Sequence, residues 1–309
     1  RKKTSDAQLS SSKISDKGDK NMKIGLSSYS FQQLISSKEE SQLSIIAKAK
    51  EMGFDGIEFI DLMPPEGISE EEYAKILKAE SDKVGLPIIA YTISANLLGE
   101  NGLDAEVERV CKKIDIASIL GAKCLRHDAA WGMPDEMKSC QGFEQILPVL
   151  VEGCRRITEY AKSKNIVTTI ENHGLFCQDS ERVEKIVNGV SDPNFGVLID
   201  IGNFACADEE SNKAVGRLAP YAKHVHAKDF HIKNGNSLNP GKGFFKSRGG
   251  NYLRGAIIGH GEIPVLQCLS ILKSSGYDGY VSVEFEGLEN CIDGIEIGFS
   301  NLKKAIEMI

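Results

Sequence analysis

From Lys23 onward the chain alternates short apolar runs with stretches of helical period. KIGLS (23–27) reads as a strand, and Leu43, Ile46 and Ala49 follow at helix-like spacing, ending at Gly53. GIEFI (56–60) is a second strand, before a helix over 70–84. PIIAYT (87–92) is a third, and the next helix carries Ile114, Ala117 and Leu120 before Gly121. KCLRH (123–127) and a helix over 143–163 come next, then IVTTIE (166–171) with a helix through 181–188. FGVLID (195–200) precedes a shorter helix near 212–222, and HVHAK (224–228) is the seventh strand. Val265, Leu269 and Leu272 mark a helix ending at Gly276, YVSVEFE (280–286) is the eighth strand, and 293–308 the last helix.

Eight strands alternating with helices predict an α/β fold with a parallel sheet. An internal echo supports one repeated unit. GFDGIEF (53–59) and GYDGYVSVEF (276–285) share a Gly helix stop, an aromatic-Asp-Gly turn and a strand ending in Glu-Phe. A closed (β/α)8 TIM barrel takes about 250 residues. The rival, a doubly wound dinucleotide fold, needs G-x-G-x-x-G after its first strand, and GLSSYSF does not supply it. Residues 1–21 are Ser- and Lys-rich and nearly free of large apolar groups, so a flexible tail is expected there, with 22–309 forming a single barrel domain.

With 41% hydrophobic and 26% charged residues among 309, the composition is that of a soluble globular protein. The net charge of −7 leaves no footprint for a phosphate backbone, so no nucleic-acid partner is expected. No run approaches the roughly 18 apolar residues of a membrane span, and no apolar signal core stands in the first 30 residues. The eight cysteines are scattered without a C-x-x-C pair and read as buried thiols of a reducing compartment, which makes a cytoplasmic location the expectation.

The chemistry is expected at the C-terminal face of the barrel. Strand five ends at Glu171, strand six at Asp200 and strand eight at Glu284, while strand seven carries His226. Each stands where an apolar run would take another aliphatic residue. Carboxylates converging there would repel one another, and a divalent metal resolves that repulsion.

The motifs TTIEN, VLIDIGNF, HVHAKD and VSVEFEG, in this order, resemble those of the sugar phosphate isomerase/epimerase family with its xylose isomerase-like barrel, over essentially the whole chain from Met22. The resemblance implies a metal site of Glu171, Asp200, His226 and Glu284, with Glu171 and Glu284 also exchanging protons with substrate. Glu286, of the same parity as Glu284, is the less favoured rival. His224 reads as a packed histidine one pleat deeper, and His231 as a loop residue. Several relatives carry His three residues after the strand-six Asp. This chain has Asn203 there, which donates hydrogen bonds but is no base near neutral pH.

Three carboxylates and one imidazole suit Mn²⁺ first, with Mg²⁺, Co²⁺ or Zn²⁺ as alternatives. Such an ion polarises a carbonyl, favouring proton abstraction beside it and an enediolate intermediate. His127, beside Asp128 at the end of strand four, is a candidate acid or base. His173, Asn203, Lys228, Arg254 (in the long stretch after strand seven), Glu58 and Trp131 are candidate substrate contacts, and His260 and Glu262 could close that stretch over the site. The partner expected is a small-molecule sugar, and a homo-oligomer is compatible with the sequence. Isomerase or epimerase chemistry leads. A lyase cleaving 3-oxo-glycosides or dehydrating an inosose is the alternative, with His127 as its extra acid or base. A non-catalytic sugar-binding barrel ranks below both. The apurinic-site endonucleases share this barrel but bring several more His ligands for a three-metal site, which six histidines and an acidic balance fit poorly.

Overall fold

Parallel pairing of eight strands closes the sheet into a ring, and each barrel strand passes to the next through at least one helix. The computed structural model describes residues 22–137 and 142–309, so the expected tail over 1–21 lies outside the described residues. In chain order the elements are β1 (Lys23–Ser27), α1 (Gln32–Ser36), α2 (Ser44–Glu51), β2 (Gly56–Ile60), α3 (Glu70–Val84), β3 (Ile88–Ile93), α4 (Gly102–Leu120), β4 (Cys124–His127), α5 (Phe143–Lys162) and β5 (Val167–Glu171). They continue with α6 (Ser180–Val190), β6 (Phe195–Asp200), α7 (Ser211–Leu218), β7 (Ala222–Ala227), β8 (Asp229–Lys233), β9 (Phe245–Lys246), β10 (Tyr252–Ala256), α8 (Val265–Ser274), β11 (Tyr280–Val283) and α9 (Cys291–Glu307). The ring runs β1-β11-β7-β6-β5-β4-β3-β2 and closes between β1 and β2. Among the described residues no helix is long and apolar enough to cross a membrane.

Local sequence sets the ends of the helices. Ser69 and Glu72 form a reciprocal capping box at the start of α3, and Gly85 ends it in the left-handed region. Gly121 stops α4 in the same way. At the floor of the barrel, glycines let one aliphatic side chain fill the taper. A Cβ on Gly25 would lie 2.6 Å from Ile89 Cδ1, and one on Gly56 would lie 2.4 Å from Ile89 Cγ2. Ile89 itself sits where the β2–β3 register slips between Ile57 and Glu58.

Three expectations need correction. The eighth barrel strand stops at Val283 and not at Glu286, because the chain turns away after Glu284 N–H donates to Ala227 O at 3.0 Å. The helix expected to 222 ends at Leu218, followed by a 3-10 turn over Ala219–Tyr221 that Pro220 opens. The stretch after strand seven is no plain loop but a three-stranded antiparallel sheet, β8-β10-β9. His231 and Arg254 are therefore cross-strand partners in that sheet. The period-two alternation of DFHIK and YLRGA carries the signal, masked by the polar residues between them.

Asp229 ties this sheet to the barrel. Its buried carboxylate accepts from the backbone N–H groups of Phe230, Gly259, Gly261 and Ile263 at 2.8–3.1 Å. Removing the acceptor strands several buried donors at about 1–3 kcal/mol each. Asp229→Ala should therefore cost about 3 kcal/mol or more in chemical denaturation. A loss within ~0.5 kcal/mol, typical of a neutral surface change, would contradict this anchoring.

Candidate active site

Alternation along the strands decides which side chains enter the barrel. Glu171 and Asp200 end β5 and β6, His226 is the penultimate residue of β7, and Glu284 follows β11 directly. All four are buried, and one ligand atom from each lies within 4.8 Å of the others. His226 Nδ1 stands 3.4 Å from Glu284 Oε2 and 3.9 Å from both Glu171 Oε1 and Asp200 Oδ2. One of these converging atoms, His226 Nδ1, is shut off from solvent with no hydrogen-bond partner among the described residues. Buried polar atoms are seldom left so, and this donor set fits a divalent cation. Glu284, and not Glu286, joins the group.

The opposite edge of His226 is pinned. Its Nε2 meets Glu58 Oε1 at 2.5 Å, while Glu58 Oε2 meets His224 Nε2 at 2.5 Å. Ser282 Oγ donates to Glu58 Oε2 at 3.0 Å. Burial alone would raise the Glu58 carboxyl, but His226 and His224 outweigh it and hold it well below the ordinary range. A carboxylate on Nε2–H fixes the tautomer that presents a bare Nδ1 to a metal. Glu58 thus stands beneath the ligand group, fully buried and apart from the cavity, so the substrate contact expected of it is corrected.

Two cations temper the negative charge. Lys228 Nζ lies 2.7 Å from Glu284 Oε2 and 3.0 Å from Asp200 Oδ2, and donates to Asn203 Oδ1 at 3.2 Å. Arg126 contacts Glu171 Oε2 at 2.5 Å and Asp128 Oδ1 at 2.9 Å. Asn203 Nδ2 donates to Glu171 Oε1 at 3.0 Å. Burial pushes the Asp200 carboxyl up to about 6 despite Lys228. Burial also works against ionised Glu284, yet Lys228 and His226 hold its carboxyl well below the usual value.

The mouth above is a cavity of about 280 Å³, lined in part by Arg126, Asp128, Trp131, Glu171, His173 and Lys228. His173, half exposed, pairs through Nδ1 with Asp128 Oδ1 at 2.9 Å. Trp131 is exposed at the rim, its Nε1 donating to Ala95 O at 2.7 Å. His127 does not reach the cavity. It faces the helical layer beside Phe195, fully buried, with Nδ1 2.8 Å from Asp128 O, and burial lowers its imidazole to about 4. The acid or base role expected of it is corrected. Counting alternate residues from the inward Cys124, which meets Thr169, turns Arg126 inward and His127 outward. Arg126 was the residue this count should have found. Arg254 lies off the cavity, bonded to Glu289 Oε1 at 3.1 Å and set over Phe244. Glu262 accepts from Ile232 N–H at 2.9 Å, away from this cavity, and His260 is likewise absent from its lining.

A family model described as "Xylose isomerase-like TIM barrel" matches residues 46–305. The inosose dehydratase of Mesomycoplasma hyopneumoniae (strain 7448) is 25% identical over 260 residues, covering 78% of this chain and 80% of that one. Among solved structures, a 3-keto-D-glucoside 4-epimerase from E. coli is 17% identical with a TM-score of 0.66, covering 92% of this chain and 99% of that one. A xylose isomerase-like TIM barrel protein from Mycobacterium smegmatis, in complex with magnesium, is 15% identical with a TM-score of 0.68, covering 93% of this chain and 96% of that one.

Two outcomes follow for metal titrations. Glu58→Gln leaves the ligand set intact but loses the anionic partner of His226, and should weaken divalent-metal affinity by about 10–100-fold. Unchanged affinity would mean that Glu58 has no part in holding the ligand. Protons compete with metal for carboxylate and imidazole alike. Affinity should therefore tighten as pH rises through about 6, where Asp200 ionises. A flat profile across that range in calorimetric titration would contradict the assignment.

Proposed function

Because the chain belongs to the xylose isomerase-like TIM barrel family, we propose that it is a divalent-metal-dependent sugar isomerase or epimerase whose catalytic unit spans residues 22–309. Glu171, Asp200, His226 and Glu284 would hold the ion, Mn²⁺ by preference for an oxygen-rich set, with Mg²⁺, Co²⁺ or Zn²⁺ as substitutes. A bound ion supplies Lewis acidity that makes the C–H beside a sugar carbonyl more acidic.

The observation that carries this reading is the placement of two carboxylates. Glu171 and Glu284 line the same cavity from strand ends three places apart around the ring. Arg126 and Asn203 fix Glu171 from one side, while Lys228 and Ser27 fix Glu284 from the other. Each carboxylate can take a proton from carbon or return one across the face it borders. One face used twice isomerises, and both faces used in turn epimerise. Lys228 offers an ammonium to a developing oxyanion, and Trp131 offers a flat apolar wall at the rim.

A second reading has its own support. His173, with Asp128 holding Nδ1, presents a proton donor at the mouth, which elimination of a β-substituent would use. Likeness to an inosose dehydratase points the same way. That lyase would share the first proton abstraction and differ only in losing a group afterwards.

Metal-loaded protein in D₂O, offered free ketoses and 3-oxo-glucosides, separates the readings. Deuterium entering beside the carbonyl with retention of every substituent is expected. Glu171→Gln and Glu284→Gln, compared at equal metal occupancy, should each slow exchange by about 10²–10⁴-fold. Loss of a substituent would favour the lyase, and absence of exchange with both substrate classes would overturn the proposal.

A further inference from the structure

Beside the metal pocket lies a second cavity of about 260 Å³, between the segment after β1 and the loop after β11. Tyr29 and Glu286 line both cavities, so the two are adjoining compartments. We propose that this compartment is a second subsite for a hydroxyl-rich group joined to the reacting sugar, making the natural substrate a disaccharide or comparable glycoside. The inference rests on the sugar chemistry proposed above for the first compartment.

The walls are preformed. Gln33 Nε2 donates to Glu289 O at 2.9 Å and Gly287 O at 3.3 Å, and Gln33 Oε1 accepts from Cys291 N–H at 3.0 Å. Ser30 Oγ donates to Val283 O at 3.1 Å and accepts from Phe285 N–H at 2.9 Å. These five bonds lock the two segments together, so a ligand pays little ordering cost for the cleft itself.

The groups left over are polar and mostly uncharged. Gln32 and Ser36 stand in the lining, with Gln32 Nε2 donating to Ser36 Oγ at 3.0 Å. Glu286 adds a carboxylate acceptor at the boundary, 3.5 Å from Lys228. Among the described residues no Lys or Arg lines this second compartment, and a phosphate would meet Glu286 as a like charge. Amide, hydroxyl and carboxylate acceptors suit the vicinal hydroxyls of a second sugar.

Equilibrium binding tests this without turnover. Metal-loaded protein is titrated with D-glucose and with maltose, sucrose and trehalose, using calorimetry or ligand-observed NMR. At least one disaccharide should bind about tenfold or more tightly than D-glucose, a difference of about 1.4 kcal/mol. Ser36→Trp fills the second compartment from an exposed helix end, and should abolish that advantage while leaving D-glucose affinity unchanged. Gln32→Ala should reduce the advantage in part. Disaccharides binding no better than D-glucose, or Ser36→Trp weakening both ligands equally, would overturn the subsite. Lack of deuterium exchange would instead remove the metal chemistry and leave this binding result standing.

Discussion

Three carboxylates and one imidazole nitrogen meet at a single buried point, and the rest of the molecule is arranged around the charge this creates. Like charges about 4 Å apart repel by roughly 4 kcal/mol per pair near a protein surface, and more deeper inside. Lys228 and Arg126 offset part of that repulsion, one on the Asp200–Glu284 side and the other on Glu171. They do not satisfy His226 Nδ1. A divalent cation where the four side chains meet would complete the balance, and would then belong to the site's electrostatics as well as to its chemistry.

Fold and charge are linked through the barrel floor. Glycines at the strand starts allow Ile89 to fill the base, and above it Ser282, Glu58 and His224 form a polar layer on which His226 rests. That layer orients the His226 ring, because the Glu58 carboxylate claims one ring nitrogen and leaves Nδ1 facing Glu171, Asp200 and Glu284. The mouth is built differently. Asp128 sets His173, and Asp229 secures the small sheet that follows β7, so the rim depends on ties made by side chains and not on strand pairing alone.

The fold class was legible because eight apolar runs were each punctuated by a glycine stop or a change of period, and the structure alters their ends by only a few residues apart from YVSVEFE. The four converging side chains were equally legible, since each polar residue interrupts or ends an apolar strand. His127 was misplaced by position: it ends the run, yet parity sends it outward and Arg126 inward. Glu58 was misread for a different reason. Its fate depends on His224 and His226, 166 and 168 residues away in sequence, and no local pattern carries that pairing. The extra sheet was hidden because its strands are short and separated by polar residues.

Crystals grown with Mn²⁺ and measured at the manganese edge test the central claim most directly. One anomalous peak bounded by Glu171, Asp200, Glu284 and the Nδ1 atom of His226, with the Lys228 ammonium moved off the carboxylates, is the predicted result. No peak there at saturating Mn²⁺, with Lys228 still bridging Asp200 and Glu284, would contradict it.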